Sequence, residues 1–373
     1  MSKEATSDET KLADHEEVID ETELDFTVAP LQYDITSFGA DFDVEGLVNR
    51  LKRGDILIPP FQRGYVWSLR EASRFVESIL LGLPVPGIFL AKETSSKRLL
   101  VIDGQQRLKT LEFFFEGFFD PQEGARQKRV FKLQGVQKKF EDKTYSTLKS
   151  EDRITFNDSV LHATIVKQES PPGEQSSIYH IFERLNTTGR KLSPQQIRVA
   201  IYHGFFIDIL HELNGYSAWR HIYGLRSKTL KDEELILRFL ALYCFSSKYT
   251  RPMQDFLNRA TEDFIHKGPG IKEELGCLFC SAIDFVYAAL GNIAFKPERT
   301  INAAVFDSIM VGIARRLSLQ PPPVSSDFKE AYESLLGTEE YNGLIARATA
   351  DDKNMARRLE LATSAFESLE PMK

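Results

Sequence analysis

The stretch VIDGQQRLKTL, residues 101–111, joins an apolar strand to a helix through one glycine. RLLVID at 98–103 predicts a β-strand, and Leu108 and Leu111 recur at helical spacing after the glycine. Asp103 stands where an N-cap is expected, and Gln106 stands where its capping-box partner would be. Capping alone would explain the turn, but it leaves Gln105, Arg107 and Lys109 without a structural role.

The same turn also suits a phosphate. A helix that begins after a strand offers free amides and a positive dipole, and Arg107 would add a fork of donors. Asp103 would repel a phosphate unless a cation lay between them, so Mg²⁺ is the expected ion and Asp103 its ligand. The carboxylate could otherwise orient a water, with Gln105 or Gln106 positioning that water or contacting a base edge. The P-loop pattern GxxxxGK[ST] is absent.

A second polar segment, FQRGYVWS at 61–68, precedes a helix predicted to begin near Ser68, where Ser68 and Glu71 have capping-box spacing. Its amide, guanidinium and aromatic side chains suit stacking a base or clamping a phosphate. A surface loop held down by its aromatic residues would have the same composition.

A third polar segment, NTTGRK at 186–191, precedes a helix whose start is predicted by Ser193, Pro194 and Gln196. Hydroxyls, an amide and two cations around a glycine can wrap phosphates or the water shell of a divalent ion. An ordinary turn with Gly189 at positive φ is the alternative.

The composition limits how the chain can contact nucleic acid. Its 373 residues carry a formal net charge of -7, so bulk charge cannot hold it on DNA and any contact must be local. The segment 126–139 is the best candidate because it contains six cations and no acid. The cations are Arg126, Lys128, Arg129, Lys132, Lys138 and Lys139. A solvated hairpin is the alternative.

The remaining composition predicts a cytoplasmic protein without a membrane partner. No basic segment followed by an apolar one opens the sequence, and the longest apolar runs are too short and interrupted for a membrane span. Three cysteines do not make a disulfide framework. Cys277 and Cys280 are predicted to be small core residues of a helix rather than metal ligands.

The chain is predicted to have three zones. Residues 1–28 hold ten acidic residues and two lysines and predict a disordered or partner-bound tail. Residues 29–203 mix short strand patterns with helices, and residues 204–373 show only helical patterns, at 231–246, 271–290, 300–318 and 339–368. The predicted fold class is therefore an α+β domain followed by an all-α domain.

The three polar segments, in this order, resemble the N-terminal domain family of GmrSD-type restriction endonucleases, a branch of the ParB/sulfiredoxin-like fold, over about residues 34–203. The resemblance implies an NTP-binding and hydrolysing domain of prokaryotic anti-phage defence, often directed at modified phage DNA. It implies that Asp103, Gln105, Gln106 and Arg107 act in nucleotide handling or hydrolysis. The expected nucleotide-binding residues are Gln62, Arg63, Tyr65, Trp67, Gly104, Lys109, Arg184, Asn186, Thr187, Thr188 and Gly189.

Two departures refine this expectation. No cysteine precedes residue 244, which argues against sulfiredoxin chemistry. Relatives that cut DNA carry an HNH domain, fused or in a partner chain, and residues 200–373 show no HNH signature. The resemblance then implies a sensor or regulatory NTPase subunit that binds DNA and acts with a separate nuclease.

Two other functions stay open. One is a DNA-nicking nuclease that uses Asp103 as metal ligand, and the other is a non-catalytic DNA- or protein-binding module. The sequence does not identify the preferred NTP or the DNA modification, and it leaves a homo-oligomer open.

Overall fold

The computed structural model describes residues 18–19, 34–59, 65–92, 98–119, 129–170, 176–185, 192–202 and 204–371. The chain divides into two units, Ala29–His203 and Met1–Val28 together with Gly204–Lys373. Of the predicted acidic tail, only β1 (Val18–Ile19) lies within the described residues.

Strands and helices alternate in the unit Ala29–His203. In chain order the elements are β2 (Asp34–Asp43), α1 (Val44–Arg53), β3 (Ile56–Leu57), α2 (Leu69–Leu80), β4 (Ile88–Lys92), β5 (Leu99–Asp103), α3 (Gln105–Glu116), β6 (Phe118–Phe119), β7 (Arg129–Val130), α4 (Ser150–Asp158), β8 (Val160–Ser170), α5 (Ser176–Leu185) and α6 (Pro194–Ile201).

Five of these strands form a mixed sheet in the order β2-β8-β4-β5-β3. β2 runs antiparallel to β8, β8 parallel to β4, β4 antiparallel to β5, and β5 parallel to β3. The sequence runs GDILIP, GIFLAKE, RLLVID and ATIVKQ each predict a strand, and they are confirmed as β3, β4, β5 and β8. VFKLQ at 130–134 predicts a strand as well but yields only the short β7. β2 was not predicted, because its Asp, Ser and Gly residues are depleted in strands; pairing with β8 along its whole length overrides that propensity.

Two predicted capping boxes fix the starts of α2 and α6. Ser68 accepts from the amide of Glu71 at the start of α2, and Ser193 accepts from the amide of Gln196 at the start of α6. Both side chains at the third helical position also return a hydrogen bond to the capping residue. These local patterns confirm the helix starts predicted at Ser68 and at residue 194.

Helices cover the sheet and bury its apolar side chains. Leu90, Val101 and Ile165 belong to one core with the apolar faces of α1, α2 and α3. Ala91 and Leu100, the next positions along their strands, are buried as well, and α5 contacts β5 and β8. Each large apolar side chain of α3 buried in this core contributes about 1.5–3 kcal/mol. The start of α3 is therefore held by both the sheet and the core.

In the described part of the second unit, the regular elements are helices and the short strands β1 and β9 (Ile301–Asn302), which pair in parallel. Its helices are α7 (Phe205–Asn214), α8 (Ser217–Tyr223), α9 (Lys231–Phe245), α10 (Met253–Lys267), α11 (Lys272–Leu290), α12 (Ala303–Leu319), α13 (Ser325–Gly337), α14 (Glu339–Ala346) and α15 (Asp352–Glu367). The fold class is thus confirmed as α+β with a C-terminal all-α part.

The pattern at 339–368 forms two helices rather than one. α14 ends at Ala346, and α15 begins after Asp351, whose side chain accepts from the amides of Lys353 and Asn354. The helical periodicity continues across 347–351, so hydrophobic spacing alone does not reveal the break. The capping aspartate is the local signal that was missed.

α12 is the central helix of this unit and packs against α9, α11 and α15. Oδ2 of Asp307 on α12 forms an ion pair with Nη2 of Arg238 on α9 at 2.6 Å, and both side chains are buried. A buried pair of this kind is strongly destabilising to break, because removing either partner leaves an uncompensated charge. The pair therefore favours one alignment of α9 against α12, the one that brings Arg238 and Asp307 together.

α11 corrects one sequence prediction. Cys277 is exposed and Cys280 is half-buried, so the pair does not lie in the core as predicted. Within the described residues, the helical stretch Pro269–Ile293 is long and apolar enough by length and composition to cross a bilayer. Of its most apolar window 28% is buried, and Leu275, Phe279 and Ile283 are among the buried residues of this helix.

Candidate functional site

The candidate site is built on the turn between β5 and α3. Gly104 has φ 105°, and a Cβ at this position would lie 2.4 Å from Cγ2 of Ile88. A non-glycine residue is therefore opposed both by the backbone conformation and by the packing of β4. The sheet and the helix approach each other so closely here that only glycine fits.

The turn is not capped in the predicted way. Gly104, not Asp103, is the N-cap residue of α3, and within the described residues no side chain caps the first turn. The prediction of Asp103 as N-cap with Gln106 as its partner is wrong, because the positive φ of Gly104 starts the helix one residue later. Both polar side chains are consequently available for other contacts.

Asp103 and Arg107 form an ion pair with each other. Nη2 of Arg107 lies 2.6 Å from Oδ2 of Asp103, across one helical turn. The Arg107 side chain is 14% exposed and the Asp103 side chain 51% exposed, so the carboxylate is the more accessible partner. Any anion that binds Arg107 must compete with this carboxylate for the guanidinium.

Gln106 connects this turn to the segment that precedes α2. Its Oε1 accepts from the backbone amides of Val66 at 2.9 Å and of Trp67 at 3.3 Å. The structure thereby brings together two of the three polar segments, about forty residues apart in the chain. No local pattern in the sequence indicates this contact.

The two aromatic residues of this segment that the structure describes, Tyr65 and Trp67, differ in their surroundings. Tyr65 is buried, with its ring centroid 5.0 Å from that of Phe113 and 5.6 Å from that of Phe119. Its hydroxyl lies 2.7 Å from Oγ1 of Thr110, and burial raises the pKa of Tyr65 to about 12. The predicted role of Tyr65 in stacking a base is corrected, since its ring is part of the core.

Trp67 is only half-buried, and its ring packs against that of Phe75, with ring centroids 5.5 Å apart. Of the two described aromatic side chains of this segment, it is the one that remains partly accessible. Gln62 and Arg63, predicted to bind nucleotide, lie outside the described residues.

Other predicted residues of the first helical turns are only partly accessible. Gln105 is half-buried, and Nζ of Lys109 lies 3.3 Å from Oε2 of Glu112.

Arg184, near the end of α5, is exposed. Four predicted residues of the third segment, Asn186, Thr187, Thr188 and Gly189, lie outside the described residues.

α6 carries a buried polar pair that the sequence analysis missed. Gln195 and Arg198 are almost completely buried, and Nη1 of Arg198 donates to Oε1 of Gln195. The Arg198 guanidinium also lies 5.9 Å from the ring centroid of Tyr179 on α5. The spacing of Gln195 and Arg198, three positions apart on a predicted helix, indicates that their side chains can contact each other. The sequence analysis used this stretch only for its capping-box pattern.

The cationic segment packs beside α2. Arg129, Lys132, Lys138 and Lys139 are exposed, whereas Arg126 and Lys128 lie outside the described residues. Lys139 is partly engaged, because its Nζ lies 2.7 Å from Oδ1 of Asp152 and 4.7 Å from the Phe140 ring centroid.

Arg70 of α2 is a further cation on this surface. Its side chain lies against Gly135, where an added Cβ would be 2.7 Å from the Arg70 Nε. The sequence analysis missed it because α2 and the cationic segment are far apart along the chain.

Metal-binding clusters do not form among the described residues. These residues include no group of three or more His, Cys, Asp or Glu side chains able to hold a metal ion. Nδ1 of His211 lies 3.0 Å from Oε1 of Glu233. His203 lies outside the described residues.

Comparison with known proteins gives two findings. Residues 44–203 match the family model of the GmrSD restriction endonuclease, N-terminal domain. An uncharacterized protein of Methanocaldococcus jannaschii is 23% identical, over 43% of this chain and 41% of the relative. The chain therefore spans about two fifths of the length of the curated relative it matches.

Proposed function

Since residues 44–203 match the family model of the GmrSD restriction endonuclease, N-terminal domain, we propose that this chain acts in a restriction system as a nucleotide-dependent sensor or regulatory subunit. In this proposal the domain binds and hydrolyses an NTP, and the hydrolysis is coupled to recognition of DNA and to a partner nuclease. Modified phage DNA is the proposed target.

One observation carries the proposal, the turn from β5 into α3. The first turn of α3 has no side-chain cap among the described residues, so its amides are free to receive an anion. Arg107 and Asp103 lie at the same turn, and Gly104 lets the backbone approach without a Cβ. Free amides, a guanidinium and an accessible carboxylate together suit a phosphate group and its counter-ion.

The donor set fits Mg²⁺ that arrives with a nucleotide. Mg²⁺ commonly takes one or two protein carboxylates and completes its coordination with phosphate oxygens and waters. Asp103 can supply one such carboxylate, because half of its side chain is exposed. When bound, the ion would neutralise phosphate charge. The protein's own part is to hold the phosphates at the helix amides and to release Arg107 from Asp103 toward them.

DNA contact is assigned in this proposal to the cationic surface of Arg70, Arg129, Lys132, Lys138 and Lys139. These residues carry positive charge in a chain whose formal net charge is -7. Backbone phosphates are the groups that such a surface recognises, and they give affinity without sequence preference.

The proposal is tested by phosphate release from ATP, GTP, CTP and UTP, each with Mg²⁺ and with added DNA. Asp103→Asn keeps the shape of the side chain but removes its charge, and we expect it to reduce turnover by about a hundredfold or more. Asp55→Asn is the control, because Asp55 pairs with Arg53 on the same unit, at the end of α1. Far-UV circular dichroism checks that both variants fold.

Equal turnover in Asp103→Asn and the unaltered protein would contradict the assignment of the site. Conversion of supercoiled plasmid to open circle by the purified chain alone would instead support a nuclease. Nucleotide binding without turnover would leave a binding module.

A further inference from the structure

The orientation of the Gln106 amide is fixed by its two partners. The groups that Gln106 meets at Val66 and Trp67 are backbone N–H donors, at 2.9 Å and 3.3 Å. Only the amide oxygen can accept from them, so the NH₂ group must point away from the segment 65–67. The amide oxygen of Gln106 is therefore the end of the side chain that is bound to the segment 65–67.

Thr110 makes a further contact between α3 and the segment 65–67. The Thr110 hydroxyl donates its proton to the backbone carbonyl of Gln106, at 2.7 Å. Since a hydroxyl has one proton, the Tyr65 hydroxyl must be the donor in its 2.7 Å contact with Oγ1 of Thr110. Three hydrogen bonds therefore tie the segment 65–67 to the first turns of α3. We name this set of contacts the α3 clasp.

We infer that Gln106 is a positioning residue whose oxygen holds the α3 clasp, and that only its NH₂ group faces a ligand. A group that only donates can contact a phosphate oxygen or a base carbonyl, but it cannot take a proton from a water or orient one by accepting from it. For Gln106, this narrows the sequence-based expectation that Gln105 or Gln106 positions a water or contacts a base edge to contacts in which its NH₂ group donates. The inference rests on the proposed function for the identity of the ligand as a nucleotide.

The clasp also links the candidate site to the start of α2. Trp67 directly precedes the capping residue Ser68, so the hydrogen bond from Trp67 to Gln106 fixes how the chain enters that helix. Gln106 therefore fixes the backbone of Trp67, whose half-buried ring packs against Phe75. Loss of the clasp would loosen this ring without changing any charged group.

Gln106→Glu and Gln106→Ala separate the two roles of the side chain. Glutamate keeps an oxygen that accepts from both amides but loses the NH₂ donor, whereas alanine loses both functions. The clasp is measured without nucleotide, as hydrogen exchange of the Val66 and Trp67 amides. We expect exchange as slow as in the unaltered protein for Gln106→Glu, and at least about tenfold faster exchange for Gln106→Ala.

The donor role is measured by titration with the β,γ-imido analogues of ATP and GTP in the presence of Mg²⁺. We expect both variants to raise Kd by at least about tenfold, the effect of a lost hydrogen bond to a charged group. Repeating the titration at high salt separates donor loss from the added charge of glutamate, because salt screens repulsion but does not restore a donor. The difference between Gln106→Glu and the unaltered protein should persist there.

The outcomes distinguish this inference from the proposed function. Unchanged amide exchange in Gln106→Ala overturns the clasp, and analogue binding by Gln106→Glu as tight as in the unaltered protein overturns the donor role. If the unaltered chain binds neither analogue while its Val66 and Trp67 amides are protected through Gln106, the proposed function and the donor role fail and the clasp stands.

Discussion

Replacing Gly104 by alanine tests whether the junction of β5 and α3 is as tight as described. The added Cβ would lie 2.4 Å from Cγ2 and 2.9 Å from Cβ of Ile88, distances that side chains do not tolerate without a shift. The left-handed backbone conformation costs alanine about 1–2 kcal/mol, and overpacking costs about 1–3 kcal/mol. We therefore expect Gly104→Ala to lower the free energy of unfolding of this unit by about 2–5 kcal/mol.

Gly54→Ala is a matched control for the backbone part of this cost. Gly54 also has a positive φ, 73°, but a Cβ there would meet nothing within 4 Å. Its substitution should cost only about 1–2 kcal/mol. The difference between the two variants isolates the clash with Ile88.

The assay is hydrogen exchange of the β5 and α3 amides, which reports the opening of this unit separately from the helical unit. A double variant that also carries Ile88→Ala removes the closest atom, Cγ2. Gly104→Ala should then cost less than it does beside Ile88. Equal losses for Gly104→Ala and Gly54→Ala, or no coupling to Ile88, would refute the reasoning that close packing selects glycine here.

Two further predictions concern charge. Burial raises the pKa of Glu233, so between the unfolded value of 4.5 and the higher folded value the folded chain binds more protons. The contribution of Glu233 to stability thus falls as pH rises through this range, and Glu233→Gln should gain stability relative to the unaltered protein. Denaturation across about pH 4–8 measures this. Because the hydrogen bond from Arg357 lowers the pKa of Glu340, Glu340→Gln should instead lose stability relative to the unaltered protein as pH rises toward the unfolded value of 4.5, which denaturation between about pH 3 and 5 measures. The same trend in both variants would contradict the argument. For DNA, Lys138→Glu should weaken binding at low salt and reduce the salt slope by about 0.9 per lost phosphate contact. The same change at Lys329, exposed on α13, should not, and equal effects would assign binding to overall charge.

The sequence predicts those parts of the fold that depend on local spacing. Ser68 and Ser193 each have their hydrogen-bonding partner three residues along, and both helix starts are confirmed. The strand and helix on either side of Gly104 follow in the same way from a short apolar run and from helical spacing. β2 depends on pairing with β8 more than a hundred residues away, and its own residues do not favour a strand.

The candidate site shows the same division between local and distant contacts. That the turn is crowded with polar residues is evident from the sequence, but the partner of each side chain is not. Gln106 accepts hydrogen bonds from backbone amides about forty residues earlier in the sequence. The hydroxyl of the buried Tyr65 contacts Thr110, which is separated from it by a similar number of residues. The φ of Gly104 decides against the capping box, and a glycine in a sequence does not reveal the sign of its φ.

The ion pair between Asp103 and Arg107 also bears on how a charged molecule would arrive at the turn. Two opposite charges 2.6 Å apart present a short dipole, whose field weakens with distance faster than that of a lone cation. At physiological ionic strength screening sets in beyond about 8 Å, so this turn exerts little long-range pull on a triphosphate. Capture then depends on close encounter, where the guanidinium can exchange one anionic partner for another.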